Sequence, residues 1–248
     1  MKTGTLRTGL TLVVLLAAGA ARAQQGDGEA HFNNGLNHLR EGRAPLALEE
    51  FKKAVKQNGK NPYFHKGLGV CYLKMGRYGD AVSALRKALQ LNPYYVDARN
   101  DLGTALLMSG KRDEGKAELL AAFNDPTNPT PELSARNLGL AFLEERRWPD
   151  AASWFRSSVG RNPLLVDAHL GLGEALLAQG RADEAVRAME EAVKAVPDDP
   201  ALLVGLGEAY YRSGRFHDAR ARLEEAKSKD RTGSVTRKAD DLLRQFGK

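Results

Sequence analysis

One glycine recurs along this chain at almost fixed intervals, and no other feature restricts the fold as strongly. It stands in Asn34-Gly35-Leu36, Leu68-Gly69-Val70, Leu102-Gly103-Thr104, Leu138-Gly139-Leu140, Leu172-Gly173-Glu174 and Leu206-Gly207-Glu208, at spacings of 34, 34, 36, 34 and 34 residues. Twelve residues further on, a second small position repeats at Ala47, Ala81, Gly115, Ala151, Ala185 and Ala219. A third follows seven later at Ala54, Ala88, Ala122, Ser158, Ala192 and Ala226. Three registers kept together over five intervals mean a tandem array of one supersecondary unit. Each unit reads as an amphipathic helix, a short turn and a second amphipathic helix. The turns carry glycine in Met75-Gly76-Arg77, Ser109-Gly110-Lys111, Gln179-Gly180-Arg181 and Ser213-Gly214-Arg215, whereas the fourth unit has Arg146-Arg147 followed by Trp148-Pro149. Small residues at the registers let paired helices approach closely, and Tyr72, Leu106, Phe142, Leu176 and Tyr210 fill the gaps between neighbours. No unit buries its apolar face alone, so the array must be stabilised by stacking.

This pattern resembles the tetratricopeptide repeat (TPR) over residues 28–233. The resemblance implies an all-α TPR solenoid, a right-handed superhelix of six helix-turn-helix repeats at 28–61, 62–95, 96–131, 132–165, 166–199 and 200–233. Residues 234–248 place Val235, Ala239, Leu242, Leu243 and Phe246 on one helical stripe, which predicts a capping helix over the open end. Ahead of the array, Lys2 and Arg7 precede the apolar run from Leu10 to Ala18, and Ala21-Arg22-Ala23 is a small-residue cleavage site. The run is about half of the roughly 20 residues that span a bilayer. Residues 1–23 are therefore expected to be a signal peptide cleaved after Ala23, which makes the mature protein periplasmic, and 24–27 a disordered stub.

The rest of the chemistry excludes more than it offers. The formal charge of +6 includes Lys2, Arg7 and Arg22 of the leader, and the remaining +3 is scattered, which argues against a nucleic-acid partner. A lone cysteine, Cys71, excludes an intramolecular disulfide framework and is expected to pack in the core. His31, His65 and His169 fall at equivalent places in their units, where packing is the expected role, and His31 and His38 lie two helical turns apart, roughly 10 Å, too far to share a metal ion. There is no zinc-protease, nucleophile-elbow or phosphate-loop motif. Gly67-Leu68-Gly69 lies within a helix without a preceding strand, so it is no dinucleotide site. No enzyme activity, cofactor or metal is expected.

TPR solenoids usually line a concave groove with the first helix of each unit. Here those faces offer Phe32, Leu36 and Leu39 in the first unit, Tyr63, Lys66, Val70, Leu73 and Lys74 in the second, and Asn100, Thr104, Leu107 and Met108 in the third. The fifth and sixth turn polar and acidic with Asp167, Glu174 and Glu208. The expected partner-binding groove is thus N-terminal, apolar with a basic edge, and suited to a helix or an extended peptide. A competing reading buries Phe32, Leu36 and Leu39 against a neighbouring helix. Phe32 and Leu36 stand where chaperone-type TPR domains carry carboxylate-clamping residues, which argues against that class.

Between the third and fourth units the spacing grows by two at Asp125-Pro126-Thr127-Asn128-Pro129-Thr130-Pro131, ahead of Asn137-Leu138-Gly139. A run this rich in proline predicts a rigid, extended connection. It is similar to the middle of the type IV pilus biogenesis lipoproteins of the PilF/PilW/Tgl type. That resemblance implies an exported adaptor that helps an outer-membrane secretin assemble, with an apolar groove at Phe32, Leu36, Leu39, Val70 and Leu73. Those lipoproteins carry a lipobox cysteine. Here Leu16-Ala17-Ala18-Gly19 is followed by Ala20, so no lipid anchor is expected. The alternative is an exported scaffold of another envelope complex, in polysaccharide export or cell-wall synthesis.

Overall fold

A computed structural model describes residues 26–245. The leader, its cleavage site and Phe246 lie outside the described residues. The chain forms α1 (26–40), α2 (Ala44–Gln57), α3 (Pro62–Lys74), α4 (Tyr78–Leu91), α5 (Val96–Met108), α6 (Arg112–Asn124), α7 (Pro131–Glu144), α8 (Trp148–Arg161), α9 (Val166–Ala178), α10 (Ala182–Ala195), α11 (Pro200–Arg212), α12 (Phe216–Lys229) and α13 (Thr236–Gln245). No strand occurs among the described residues. Residues 26 and 27, expected in the disordered stub, already belong to α1.

The array divides into two compact units, Met1–Glu118 and Leu119–Lys248. In the first, α2, α3, α4 and α5 pack in sequence and the first helices α3 and α5 lie side by side. In the second, α7 to α13 pack in sequence, with α7, α9, α11 and α13 as neighbouring first helices. By this pairing α13 stands where the first helix of a further repeat would. Ala239 and Leu242 on it are buried with Leu203, Val204, Leu223 and Ala226.

Local chemistry sets each boundary. Proline opens α3, α7 and α11, where its missing N–H costs nothing. The Asn61 side chain accepts from the Tyr63 N–H at 2.9 Å and Asp199 from that of Leu202 at 2.9 Å, capping α3 and α11. First helices end at a residue in the left-handed region: Gly42, Gly76, Gly110, Gly180 and Gly214 lie at φ of 71–84°. Arg146 takes the same place at φ 58° in the fourth repeat. The turn closes there as elsewhere, since the Arg147 N–H donates to the Phe142 carbonyl at 2.9 Å just as that of Arg77 donates to Tyr72. The arginine after the turn is itself used repeatedly. Arg77, Arg147 and Arg215 lie over the rings of Tyr72, Phe142 and Tyr210 at 4.2–4.7 Å, and each pairs with an aspartate three residues on.

The Pro-rich connection differs from expectation. It is a compact turn, because Asp125 accepts from the Thr127 N–H at 2.8 Å and the Asn128 amide donates to the Ala122 carbonyl at 2.7 Å. Asx turns outweigh the extended preference of residues before proline.

The small registers are buried throughout: Ala47, Ala81, Ala151, Ala185 and Ala219 are 0% exposed, as are all six residues of the third register. Ser158 is tolerated there because its hydroxyl donates to the Glu132 carbonyl at 2.9 Å. Gly115 stands for alanine where α6 meets α5 so closely that a Cβ would come within 2.8 Å of the Gly103 carbonyl oxygen.

A further register, sixteen residues after the repeated glycine, carries the large core side chains: Phe51, Leu85, Leu119, Phe155, Met189 and Leu223, all at most 1% exposed. Their neighbours show how they lock the stack. A Cβ on Gly35 would come within 2.7 Å of Phe51, and one on Gly67 in the next repeat within 2.8 Å of the same ring. Phe155 lies likewise between Gly139 and Gly171, and Met189 between Gly173 and Gly205. Where the second helix offers the smaller Leu85 or Leu119, the next first helix carries Asp101 or Asn137 at the second notch position instead of glycine.

A Cβ on Gly171 would sit 2.3 Å from Phe155 Cζ. Gly171→Ala should therefore lower unfolding stability by about 1–3 kcal/mol, as overpacking does. Combined with Phe155→Leu, the loss should be smaller than the sum of the two singles, measured by a urea-unfolding double-mutant cycle.

Asp230 anchors α13. Its carboxylate accepts from the N–H groups of Val235 at 2.8 Å and Thr236 at 2.9 Å and from the Thr236 hydroxyl at 2.9 Å. Desolvation works to raise its pKa, but these donors together hold it well below the ordinary 3.8. A depressed native pKa contributes stability that is complete above 3.8 and lost as pH falls through the lower native value. Amide protection across 236–245, measured by hydrogen exchange corrected for intrinsic rates, should weaken well below pH 3.8 before that of α9. Asp230→Ala should remove it at neutral pH.

Candidate functional site

The structure separates the residues expected in the N-terminal groove. The Phe32 ring on α1 lies 5.6 Å from that of Phe51 and 5.2 Å from that of Phe64, and it is half-buried between α1, α2 and α3. Leu36 and Leu39 are half-buried against the cluster of Ala47, Leu48, Phe51 and Leu68. Leu73 packs partly on the core of α4 and α5, and Val70 is half-buried. The exposed part of the face is carried by Tyr63 and Lys74 on α3 and Met108 on α5.

Two residues outside the expected set join it. Tyr63, 52% exposed, meets the edge of Tyr95 at 5.0 Å, and Lys66 Nζ lies 3.5 Å from Asp101 Oδ2. Burial pushes the Asp101 carboxyl up, against the opposing charge of Lys66, and Oδ2 receives no hydrogen bond. Burial also pushes up the Tyr95 phenol. The sequence signal for Asp101 was the loss of the glycine that Gly67, Gly171 and Gly205 keep at this place. On this face an aromatic pair, a basic group and a partly buried carboxylate lie beside half-buried aliphatic side chains.

Three of the histidines, His31, His65 and His169, serve the framework. His65 Nε2 donates to the Gly59 carbonyl at 2.9 Å and His169 Nε2 to that of Pro163 at 2.8 Å, tying each first helix to the loop before it. Arg99 does the same to Pro93 at 3.0 Å. In the first repeat His31 turns instead to Glu50 at 2.7 Å. Cys71 is 0% exposed and its thiol donates to the Ala44 carbonyl at 3.2 Å; burial raises its pKa, which disfavours the reactive thiolate.

The C-terminal face departs from expectation. Asp167 pairs with Arg136 at 3.3 Å. Glu174 and Glu208 rim a cavity of about 580 Å³ whose walls are mainly apolar: Leu170, Leu177, Met189, Val204 and Val235. Lys238 of α13 bonds Glu208 at 2.9 Å across its end. The acidic residues dominate a reading by charge, but the structure puts them at the edge of an apolar trough.

Two tetratricopeptide-repeat family models match this chain, one at residues 32–96 and 136–200, the other at 72–135 and 176–235. The chain is a tetratricopeptide-repeat protein. Its TPR solenoid is similar in fold to PilW, a type IV pilus biogenesis factor, with a TM-score of 0.71 and 19% identity over 81% of this chain and 92% of that one. It is similar in the same way to PilF of Pseudomonas aeruginosa, with a TM-score of 0.71 and 19% identity over 91% of this chain and 98% of that one. In sequence it is 37% identical over 122 residues to the TPR repeat-containing protein PA4299 of Pseudomonas aeruginosa, covering 46% of this chain and 49% of that protein. The chain thus spans about half the length of that relative.

The buried carboxylate of Asp101 gives a direct check on this face. Because its native pKa is raised, the charged form is disfavoured by folding, so stability falls as pH rises from 3.8 through the higher native value. Asp101→Asn should remove that slope and leave the protein at least as stable at neutral pH, read from melting curves across the acid range.

Proposed function

We propose that this TPR protein is an exported, non-enzymatic adaptor of the periplasm that binds a segment of a protein partner and promotes assembly of a type IV pilus secretin. The observation that carries this reading is the extent of the likeness in fold to PilF, over 91% of this chain and 98% of that one. The leader at 1–23 supports export. Ala20 at the lipobox position makes the factor one without its own lipid anchor, so it assists assembly rather than carrying secretin to the outer membrane. Tyr63, Tyr95, Lys66, Asp101 and Lys74 are the surface offered to the partner.

The second reading is a scaffold of another envelope complex, such as polysaccharide export or cell-wall synthesis. The match to PA4299, a protein named for its TPR repeats, is equally compatible with it.

Cells lacking the protein should lose heat-stable secretin multimers and accumulate monomer on a blot. Complementation with Tyr63→Glu, an exposed position, should fail to restore them while the purified variant melts as wild type. Unchanged multimers in the deletion strain would give the second reading first place.

A further inference from the structure

In the second unit α9, α11 and α13 are successive first helices, so equivalent positions can be compared directly. Glu208 on α11 and Lys238 on α13 are thirty residues apart and form an ion pair at 2.9 Å. Glu174 on α9 occupies the place of Glu208 one repeat earlier, and the residue thirty further on is Val204. The acid is repeated and its base is not. Glu174 is exposed, makes no ion pair among the described residues, and stands at the mouth of the apolar trough of about 580 Å³. Arg212, equivalent to Ala178, lies one turn beyond Glu208 and is also exposed. It repels a second cation there and so gives the trough a polarity.

We propose that this trough is a second docking site, which takes a peptide segment of a protein partner carrying one lysine or arginine beside apolar side chains. The basic group engages Glu174 as Lys238 engages Glu208, and the apolar side chains lie on the half-buried Leu170, Leu177 and Val235. Lys238 is the template within the chain: a basic residue presented from a neighbouring helix already meets the equivalent glutamate in this geometry. The apolar walls supply affinity, and the exposed charge supplies register and selectivity. The site lies in the other unit from Tyr63 and does not depend on the secretin reading.

The test is selection of random dodecapeptides displayed on phage against the full chain, with counter-selection on Ala178→Trp. Ala178 is exposed in the last turn of α9 and lines the trough, so a tryptophan there blocks the mouth without entering the core. Ala201→Trp serves if that variant melts differently. Peptides lost on the blocked variant should share one Arg or Lys flanked by Leu, Ile or Phe. A synthetic consensus peptide should bind the wild type about three- to fivefold more tightly than its citrulline twin, the range of an exposed ion pair. On Glu174→Gln the two twins should bind alike. The proposal is overturned if no selected peptide depends on an open trough, if the dependent peptides lack a basic residue, or if Glu174→Gln still distinguishes the twins. Such failure would leave the multimer result in cells untouched.

Discussion

The stacking of this protein depends on a steric fit between one bulky side chain and two notches. The side chain comes from the second helix of a repeat, and the notches are glycines on the first helices of the same and the following repeat. Phe51 between Gly35 and Gly67, Phe155 between Gly139 and Gly171, and Met189 between Gly173 and Gly205 each join intra-repeat to inter-repeat packing. Since interiors are packed to crystal density, neither partner can change volume alone. Where the bulk falls to Leu85 or Leu119, the second notch is relieved of its glycine, and polar side chains enter at Asp101 and Asn137. Packing thereby decides where chemistry can appear on the first-helix face.

That consequence links stability to binding. Asp101 occupies a site that glycine fills elsewhere, so its carboxylate is held partly out of water, with Lys66 as the facing charge. Tyr63 and Tyr95 lie near it on successive first helices. In the other unit, Gly173, Glu174, Gly205 and Glu208 all line the trough. Two faces of differing chemistry thus arise from one repeating scaffold, which is how TPR proteins address different partners without altering their core.

The repeats, their helices and their turns were legible because each rests on local signals: small residues at fixed registers, proline at helix starts, a left-handed residue at the turn. Even the irregular Arg146 marked its own turn by position. The Pro-rich connection misled, because proline favours extension only until Asp125 and Asn128 offer nearer hydrogen bonds. The sixteen-residue register was harder to find, as Phe, Leu and Met share a role there without sharing an identity.

From the sequence alone follow the tandem helix-turn-helix array, the all-α class and the family, since a tandem amphipathic unit with these small registers has one way to bury its apolar surface. Only the tertiary structure decided which apolar residues remain available to a partner. A first helix is covered on two sides, by its own second helix and by the next repeat, so hydrophobic spacing cannot tell a docking stripe from a buried one. Phe32 is half-covered by Phe51 and Phe64, while the acidic C-terminal stretch lines an apolar trough. Exposure is set by what packs on a face, and that is fixed by residues distant in the sequence.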